Sequence, residues 1–179
     1  PGFSGRDAAR IAAAAKAADV KHIDYLITTH YHTDHVGGVA QLIAKLHVKT
    51  FVDHGPNIES GKNAEELNSQ YEKALATGKR MSVKPGDKIP LKGADVVVVT
   101  ANGERIGSAL AGGGQPNSLC GKEFPEDKSE NARSVGYVLT FGKFRTINLG
   151  DLTSRKEAEL VCPENRIGTV DLYLTTHHG

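Results

Sequence analysis

The stretch His30-Tyr31-His32-Thr33-Asp34-His35 places four metal-binding side chains within six residues. Two histidines separated by one residue can bind one ion from an extended or turning backbone, and the Asp-His pair that follows can face a second ion. Imidazole and carboxylate ligands together suit borderline divalent metals, so Zn²⁺ is the expected ion, with Mn²⁺ or Fe²⁺ as substitutes. The stretch predicts a site for two divalent ions, and a structural polar turn is the weaker interpretation.

The residues on either side of this motif predict its place in the fold. Residues 23–28 form a largely apolar run, typical of a short buried strand, that leads directly into His30. After Gly37 and Gly38, apolar residues recur at helical spacing over residues 39–46. The motif is therefore expected between a strand and a helix, at the carboxyl end of the strand, where α/β proteins commonly have their active sites.

The rest of the chain alternates between helix and strand patterns. Helices are predicted over residues 4–18, with Ser4 as the N-cap, over 64–76 and over 153–161. Strands are predicted over residues 49–53, 95–100, 135–141, 144–149 and 170–176, with a hairpin turn at Gly142. Residues 102–131, rich in Gly, Ser, Pro and charge, predict a long irregular insertion. This alternation favours an α/β sandwich with mixed sheets inside and helices outside.

Composition limits the class of protein. The chain has 179 residues, of which 39% are hydrophobic and 24% charged, as expected for one soluble globular domain over residues 1–179. A net charge of +1 gives no general field that would attract nucleic acid, although a local basic groove would not show in the total, so nucleic acid is a possible partner but is not indicated. The apolar runs, such as residues 96–99, are far too short to span a bilayer, so no membrane association is expected.

The cysteines and the chain ends bear on the compartment. Cys120 and Cys162 are too few to define a disulfide framework and lack zinc-knuckle spacing. They are either independent thiols or, in a secreted protein, a bridge that pins the glycine-rich insertion. The chain begins without Met and stops directly after a predicted strand, so we expect truncation at both ends. A secreted or periplasmic location is compatible with these ends, and the sequence assigns none.

Later parts of the chain supply further candidate ligands. Asp151 follows the predicted hairpin and is either a carboxylate able to bridge two ions or a helix N-cap. His177 and His178 follow the last predicted strand, and either could bind metal while the other faces substrate. His54 either reaches the site or belongs to a surface loop. Asn131 is either a polar group of the site or a turn former.

Four segments together resemble the metallo-β-lactamase superfamily of hydrolases: HYHTDHVGG at 30–38, NARSV at 131–135, LGD at 149–151 and DLYLTTHHG at 171–179. Within the superfamily, they look most like the branch that contains the metallohydrolase domain of bacterial competence (DNA-uptake) channel proteins and related phosphodiesterases. The resemblance implies a four-layer αβ/βα sandwich. It also implies that the opening strands and closing helices of that fold lie outside these residues.

The resemblance implies a role for each candidate ligand: His30 and His32 at the first metal, Asp34 and His35 at the second, Asp151 as a bridge, and His177 or His178 completing the second site. Asp34 would also orient the nucleophilic water and handle its proton. Many members of the superfamily have one more histidine midway along the chain, where this sequence has Asn131 and no histidine from 55 to 176. An amide oxygen is a weaker ligand, so we expect the two metal sites to be unequally occupied.

The reaction implied is hydrolysis by a metal-bound hydroxide, because the metal lowers the pKa of bound water towards about 7. The bond would belong to a small ester, lactone or phosphoester, or to a phosphodiester as in the competence branch. β-Lactam hydrolysis is disfavoured because the middle histidine is missing. The alternative is a non-catalytic metal-binding or partner-docking module with a degraded first metal site.

Overall fold

The computed structural model describes residues 5–177 and forms two compact units, Pro1–Ser82 and Val83–Gly179. The elements of the first unit are α1 (Arg6–Ala17), β1 (His22–Ile27), α2 (Thr33–Val36), α3 (Val39–Ile43), β2 (His47–Asp53), α4 (Lys62–Leu75) and β3 (Lys79–Ser82). Those of the second unit are β4 (Lys88–Ile89), β5 (Asp95–Ala101), β6 (Glu104–Arg105), β7 (Gln115–Pro116), a 3₁₀ helix (Glu130–Arg133), β8 (Gly136–Phe141), β9 (Phe144–Asn148), α5 (Ser154–Val161), β10 (Glu164–Asn165) and β11 (Leu172–Tyr173). Ser4, the predicted N-cap, lies outside the described residues.

The first unit is built on a three-stranded parallel sheet in the order β1-β2-β3. Parallel neighbours need crossover connections, and α2 and α3 lie between β1 and β2 while α4 lies between β2 and β3. Tyr71 and Leu75 of α4 share a buried cluster with Phe51 of β2. Because the strands are parallel, the residues that follow β1 and β2 lie at the same edge of the sheet.

The second unit contains a six-stranded sheet in the order β11-β9-β8-β5-β4, with β6 paired to β5. Its pairs are antiparallel except for β11 with β9. The predicted hairpin is confirmed, since Phe141 pairs with Phe144 across a two-residue turn. Gly142 opens this turn with φ of 60°, a conformation that favours glycine. The mixed sheet carries its own buried apolar cluster, which includes Val138, Ile147 and Leu160.

A glycine allows three segments of the second unit to approach closely. A Cβ on Gly136 would lie 2.4 Å from Thr100 Oγ1 and 2.7 Å from Leu149 Cδ2. Thr100 Oγ1 in turn donates a hydrogen bond to the carbonyl of Ser134 at 3.0 Å. The start of β8 is therefore packed tightly between β5 and the residue that follows β9, which fixes the position of the Leu149-Gly150-Asp151 segment.

The structure corrects two predictions for the second unit and resolves a third. The predicted strand over residues 170–176 is reduced to β11, which pairs with β9, and β9 ends at Asn148, one residue beyond the Tyr173–Ile147 pair. The predicted irregular insertion over residues 102–131 includes the short strands β6 and β7. Cys120 and Cys162 form a disulfide with a Cα–Cα distance of 5.8 Å, so the alternative of independent thiols is wrong.

One helix prediction and one missed strand concern the first unit. The predicted helix over residues 64–76 is observed as α4, beginning two residues earlier. The strand β3 was not predicted, because Lys79-Arg80-Met81-Ser82 shows no apolar alternation. No helix within residues 5–177 combines the length and the apolar character needed to cross a bilayer.

Candidate metal centre

The first candidate ligands lie where β1 ends. His30 is fully buried, with its Nδ1 3.1 Å from Thr29 Oγ1 and its Nε2 3.1 Å from Nδ1 of His32. Two nitrogen ligands of one zinc ion, each at about 2.0–2.1 Å in tetrahedral geometry, lie about 3.3 Å from each other. The facing nitrogens of His30 and His32 are therefore at a separation that suits one shared ion.

The environment of His30 keeps its imidazole neutral. Burial, together with the nearby rings of His35 and His32, lowers the pKa of His30 to about 3, and Asp34 opposes this shift only in part. A neutral imidazole has the lone pair that a metal requires, whereas an imidazolium has none. His30 is thus held in its metal-binding protonation state across the physiological pH range.

The Asp-His pair of the motif lies in α2, directly after the first two histidines. The ring of His35 lies 4.0 Å from that of His30 between centroids, and its Nδ1 is 3.2 Å from Thr29 Oγ1. Its other nitrogen, Nε2, lies 3.5 Å from Oδ2 of Asp34, whose side chain is 76% exposed. Thr29 therefore contacts two candidate ligands at once, a role that the sequence pattern did not indicate.

His32 has a carboxylate partner on the side away from His30. Its Nε2 lies 3.3 Å from Oε1 of Glu59. Metal-binding histidines usually present their second nitrogen to a carboxylate or carbonyl, which fixes the tautomer and the ring orientation. Glu59 comes from the irregular segment that precedes α4, where no local pattern could have identified it.

His54, at the end of β2, is buried rather than part of a surface loop. Its ring lies 4.8 Å from that of Tyr31 between centroids, in an edge-to-face arrangement. The surface-loop alternative is therefore wrong, and a contact with substrate remains a prediction for this residue.

The second unit brings together two further candidates. The amide of Asp151 donates to Ser134 Oγ at 3.3 Å, and its Oδ2 lies 3.6 Å from His177 Nε2. The backbone N–H of His177 also donates to the carbonyl of Gly150 at 3.3 Å. The N-cap of α5 is Thr153, so the alternative that Asp151 caps this helix is wrong. His178 lies outside the described residues.

Asn131 occupies the 3₁₀ helix of the second unit. Its Oδ1 is buried and has no hydrogen-bond donor among residues 5–177. Its backbone carbonyl accepts the N–H of Ser134 at 3.1 Å, so the residue also forms a turn. A buried amide oxygen that accepts no hydrogen bond has a lone pair available for a cation or a substrate donor. Asn131 thus fits the role of a weak oxygen ligand.

A polar cavity of about 370 Å³ lies in the second unit and is lined by Asn131, Asp151 and His177. The rest of its wall consists of Asp127, Leu152, Thr153, Ser154, Glu157, Tyr173 and Thr176. Glu157 accepts hydrogen bonds from Tyr173 Oη at 2.9 Å and from Thr176 Oγ1 at 2.5 Å. No Lys or Arg lines this cavity within the described part of the chain, so its wall is polar and anionic.

The chain is similar to a protein family, to a hydrolase and to two solved structures. The model of the metallo-β-lactamase superfamily matches residues 1–121. A hydroxyacylglutathione hydrolase from Erwinia tasmaniensis is 32% identical over 82 residues, which cover 46% of this chain and 26% of that protein. Of solved structures, CmlA, a diiron β-hydroxylase from Streptomyces venezuelae, is 18% identical with a TM-score of 0.46, over 86% of this chain and 25% of that one. A CmlA mutant is 20% identical with a TM-score of 0.48, over 86% and 26%.

Proposed function

The chain belongs to the metallo-β-lactamase superfamily, whose members are metal-dependent hydrolases or oxygenases, and from this premise we propose that it hydrolyses an ester or phosphoester bond. Membership also confirms the predicted α/β fold of this superfamily. The chain spans only about a quarter of the length of the relatives it matches, so the activity of the whole protein is part of the proposal.

The proposal rests above all on the paired imidazoles of His30 and His32, whose facing nitrogens are 3.1 Å apart. The proposed ligands are His30 and His32 for the first ion, Asp34, His35 and either His177 or His178 for the second, Asp151 for both, and Asn131 as a weak ligand of the first. We propose Zn²⁺ as the ion, and Mn²⁺ and Fe²⁺ compete for the same imidazole and carboxylate ligands.

A bound divalent ion would act as a Lewis acid. It would lower the pKa of water towards about 7 and polarise the bond under attack. The chain supplies the proton transfer. Asp34 is exposed and adjacent to His35, so its carboxylate can accept a proton from the attacking water and return it to the leaving group. Thr29 contacts the Nδ1 atoms of both His30 and His35, which holds the two rings in fixed orientations.

The cavity beside Asp151 supports a small, uncharged or cationic substrate. Asp127 and Glu157 add negative charge to its wall, and no Lys or Arg among the described residues lines it. Nucleic-acid binding depends on Lys and Arg contacts to phosphate. The proposal therefore places a small ester or lactone ahead of the phosphodiester that resemblance to the competence branch implies.

The test is a substrate panel with a matched pair of variants. The zinc-loaded protein is assayed on p-nitrophenyl esters, homoserine lactones, bis-p-nitrophenyl phosphate and nitrocefin. Asp34→Asn removes one carboxylate charge from the motif. The control, Asp19→Asn, removes one carboxylate charge from an exposed residue after α1. The φ of Asp19 is 55°, a conformation that Asn tolerates.

We expect ester or lactone turnover in the wild type and in Asp19→Asn, with a loss of roughly 100-fold or more in Asp34→Asn, in the range for a general base. Full activity of Asp34→Asn would refute the assignment of proton transfer to Asp34. An absence of turnover on every substrate, with metal bound, would favour the non-catalytic metal-binding module instead.

A further inference from the structure

A buried carboxylate lies behind the metal-binding motif in the first unit. Asp53, the last residue of β2, is fully buried. It accepts hydrogen bonds from the Gly55 amide at 2.9 Å, Tyr71 Oη at 3.2 Å, Arg80 Nε at 2.9 Å and Ser82 Oγ at 3.0 Å. A buried carboxylate is costly unless donors surround it, and these four donors come from α4, β3 and the turn after β2. Asp53 thus ties the carboxyl ends of β2 and β3 to α4.

Arg80 extends this network to the motif. Its Nη2 donates to the Gly55 carbonyl at 3.0 Å and to Tyr31 Oη at 3.3 Å. Tyr31 Oη itself donates to the same carbonyl at 2.5 Å. Asp53, Arg80 and the Gly55 carbonyl together fix the far end of the Tyr31 side chain.

Tyr31 lies between the two histidines whose nitrogens face each other. Just beyond β1 the backbone N–H of Thr28 donates to the carbonyl of Val52, and His30 and His32 follow this bond in the sequence. The imidazole nitrogens of His30 and His32 face each other, whereas the ring of Tyr31 packs against those of His54 and Tyr71. Anchoring Tyr31 on one side therefore orients His30 and His32 on the other.

We propose that Asp53, Arg80 and Tyr31 form a positioning network that presets the spacing of the His30 and His32 nitrogens for a metal ion. The inference rests on the proposed function only in assigning an ion to these two imidazoles. The competing explanation is that the network stabilises the core of the first unit without affecting metal binding. The two explanations predict different zinc affinities for variants whose folding stability is lowered by the same amount.

Two buried tyrosines of this network provide a matched pair. Tyr31→Phe and Tyr71→Phe each remove one hydroxyl and keep the aromatic ring in the same cluster. Tyr31 lies inside the motif, whereas Tyr71 lies on α4, where its hydroxyl donates to Asp53 and its ring packs edge-to-face against that of Tyr31. The metal-free melting temperature and the dissociation constant for Zn²⁺, measured by competition with a chromophoric chelator, are determined for the wild type and both variants.

We expect both variants to melt at lower and comparable temperatures. Only Tyr31→Phe should weaken zinc binding, by about 10-fold, the lower end of the range for residues that orient metal ligands. Arg80→Lys keeps the charge beside Asp53 but removes the planar fork, so it should weaken zinc binding as Tyr31→Phe does. The Co²⁺-loaded proteins give a second readout, since a changed ligand geometry shifts the visible absorption bands.

Equal losses of affinity in Tyr31→Phe and Tyr71→Phe would overturn the inference and leave a purely structural network. Unchanged affinity and an unchanged Co²⁺ spectrum in Tyr31→Phe would also overturn it. Failure of the wild type to bind zinc would instead refute the proposed function, so the two failures are distinguishable.

Discussion

Replacing Cys120 and Cys162 with serine removes the disulfide that joins the insertion to the residue that follows α5. The two cysteines are 42 residues apart in the sequence. In the chain-entropy description, closing a loop of this length restricts the unfolded chain enough to stabilise the folded state by about 4 kcal/mol at 25 °C. Because a domain is stabilised by only about 5–15 kcal/mol in total, the double variant should be markedly less stable.

The assay is equilibrium unfolding in urea, followed by circular dichroism, with oxidised wild type, reduced wild type and the double variant compared at one temperature. The reduced wild type should unfold with the double variant, since both lack the bridge, and the oxidised protein should be more stable by roughly 3–5 kcal/mol. A difference below about 1 kcal/mol between oxidised wild type and the double variant would rule out substantial stabilisation by the disulfide. Unfolding of the reduced wild type together with the oxidised protein would contradict it as well.

Two further substitutions test the packing and the ligand set of the second unit. Gly136→Ala places a methyl group 2.4 Å from Thr100 Oγ1 and should lower the free energy of unfolding by about 1–3 kcal/mol. In the control Gly107→Ala the new methyl group meets no atom within 4 Å, so the free energy of unfolding should change little. Equal effects of the two variants in urea unfolding would contradict this prediction. Asn131→His restores an imidazole where the superfamily commonly has one, and calorimetric titration should show tighter binding of the weaker zinc ion, by about 10-fold or more if imidazole replaces a neutral oxygen. Unchanged zinc affinity would remove Asn131 from the proposed ligand set.

The position of the metal-binding motif could be predicted because it depends on local patterns. A buried strand followed by polar residues and then a helix places His30 at the end of β1, and the structure has this order. The hairpin of β8 and β9 could be predicted in the same way, since a glycine between two runs of β-branched and aromatic residues is a strong turn pattern. Patterns of this kind report on neighbours within a few residues.

The network behind the motif could not be predicted, because its members are distant in the sequence. Tyr31 and Arg80 are 49 residues apart and meet only because β1, β2 and β3 are adjacent in one parallel sheet. The strand that carries Arg80 has no apolar alternation, so the sequence does not indicate its pairing. The contacts of Arg80 follow from the register of β3 against β2. Likewise, two cysteines in a sequence permit either a disulfide or two free thiols. The fold brings Cys120 and Cys162 to a Cα–Cα distance of 5.8 Å, at which they form the disulfide.

The most direct test of the central claim is an anomalous-difference map at the zinc edge from crystals of the zinc-loaded protein. We expect two peaks. The weaker one should lie at His30 and His32 and the stronger one at Asp34 and His35, with Asp151 bound to both ions. A map without a peak beside the paired nitrogens of His30 and His32 would contradict the claim that this motif is a metal centre.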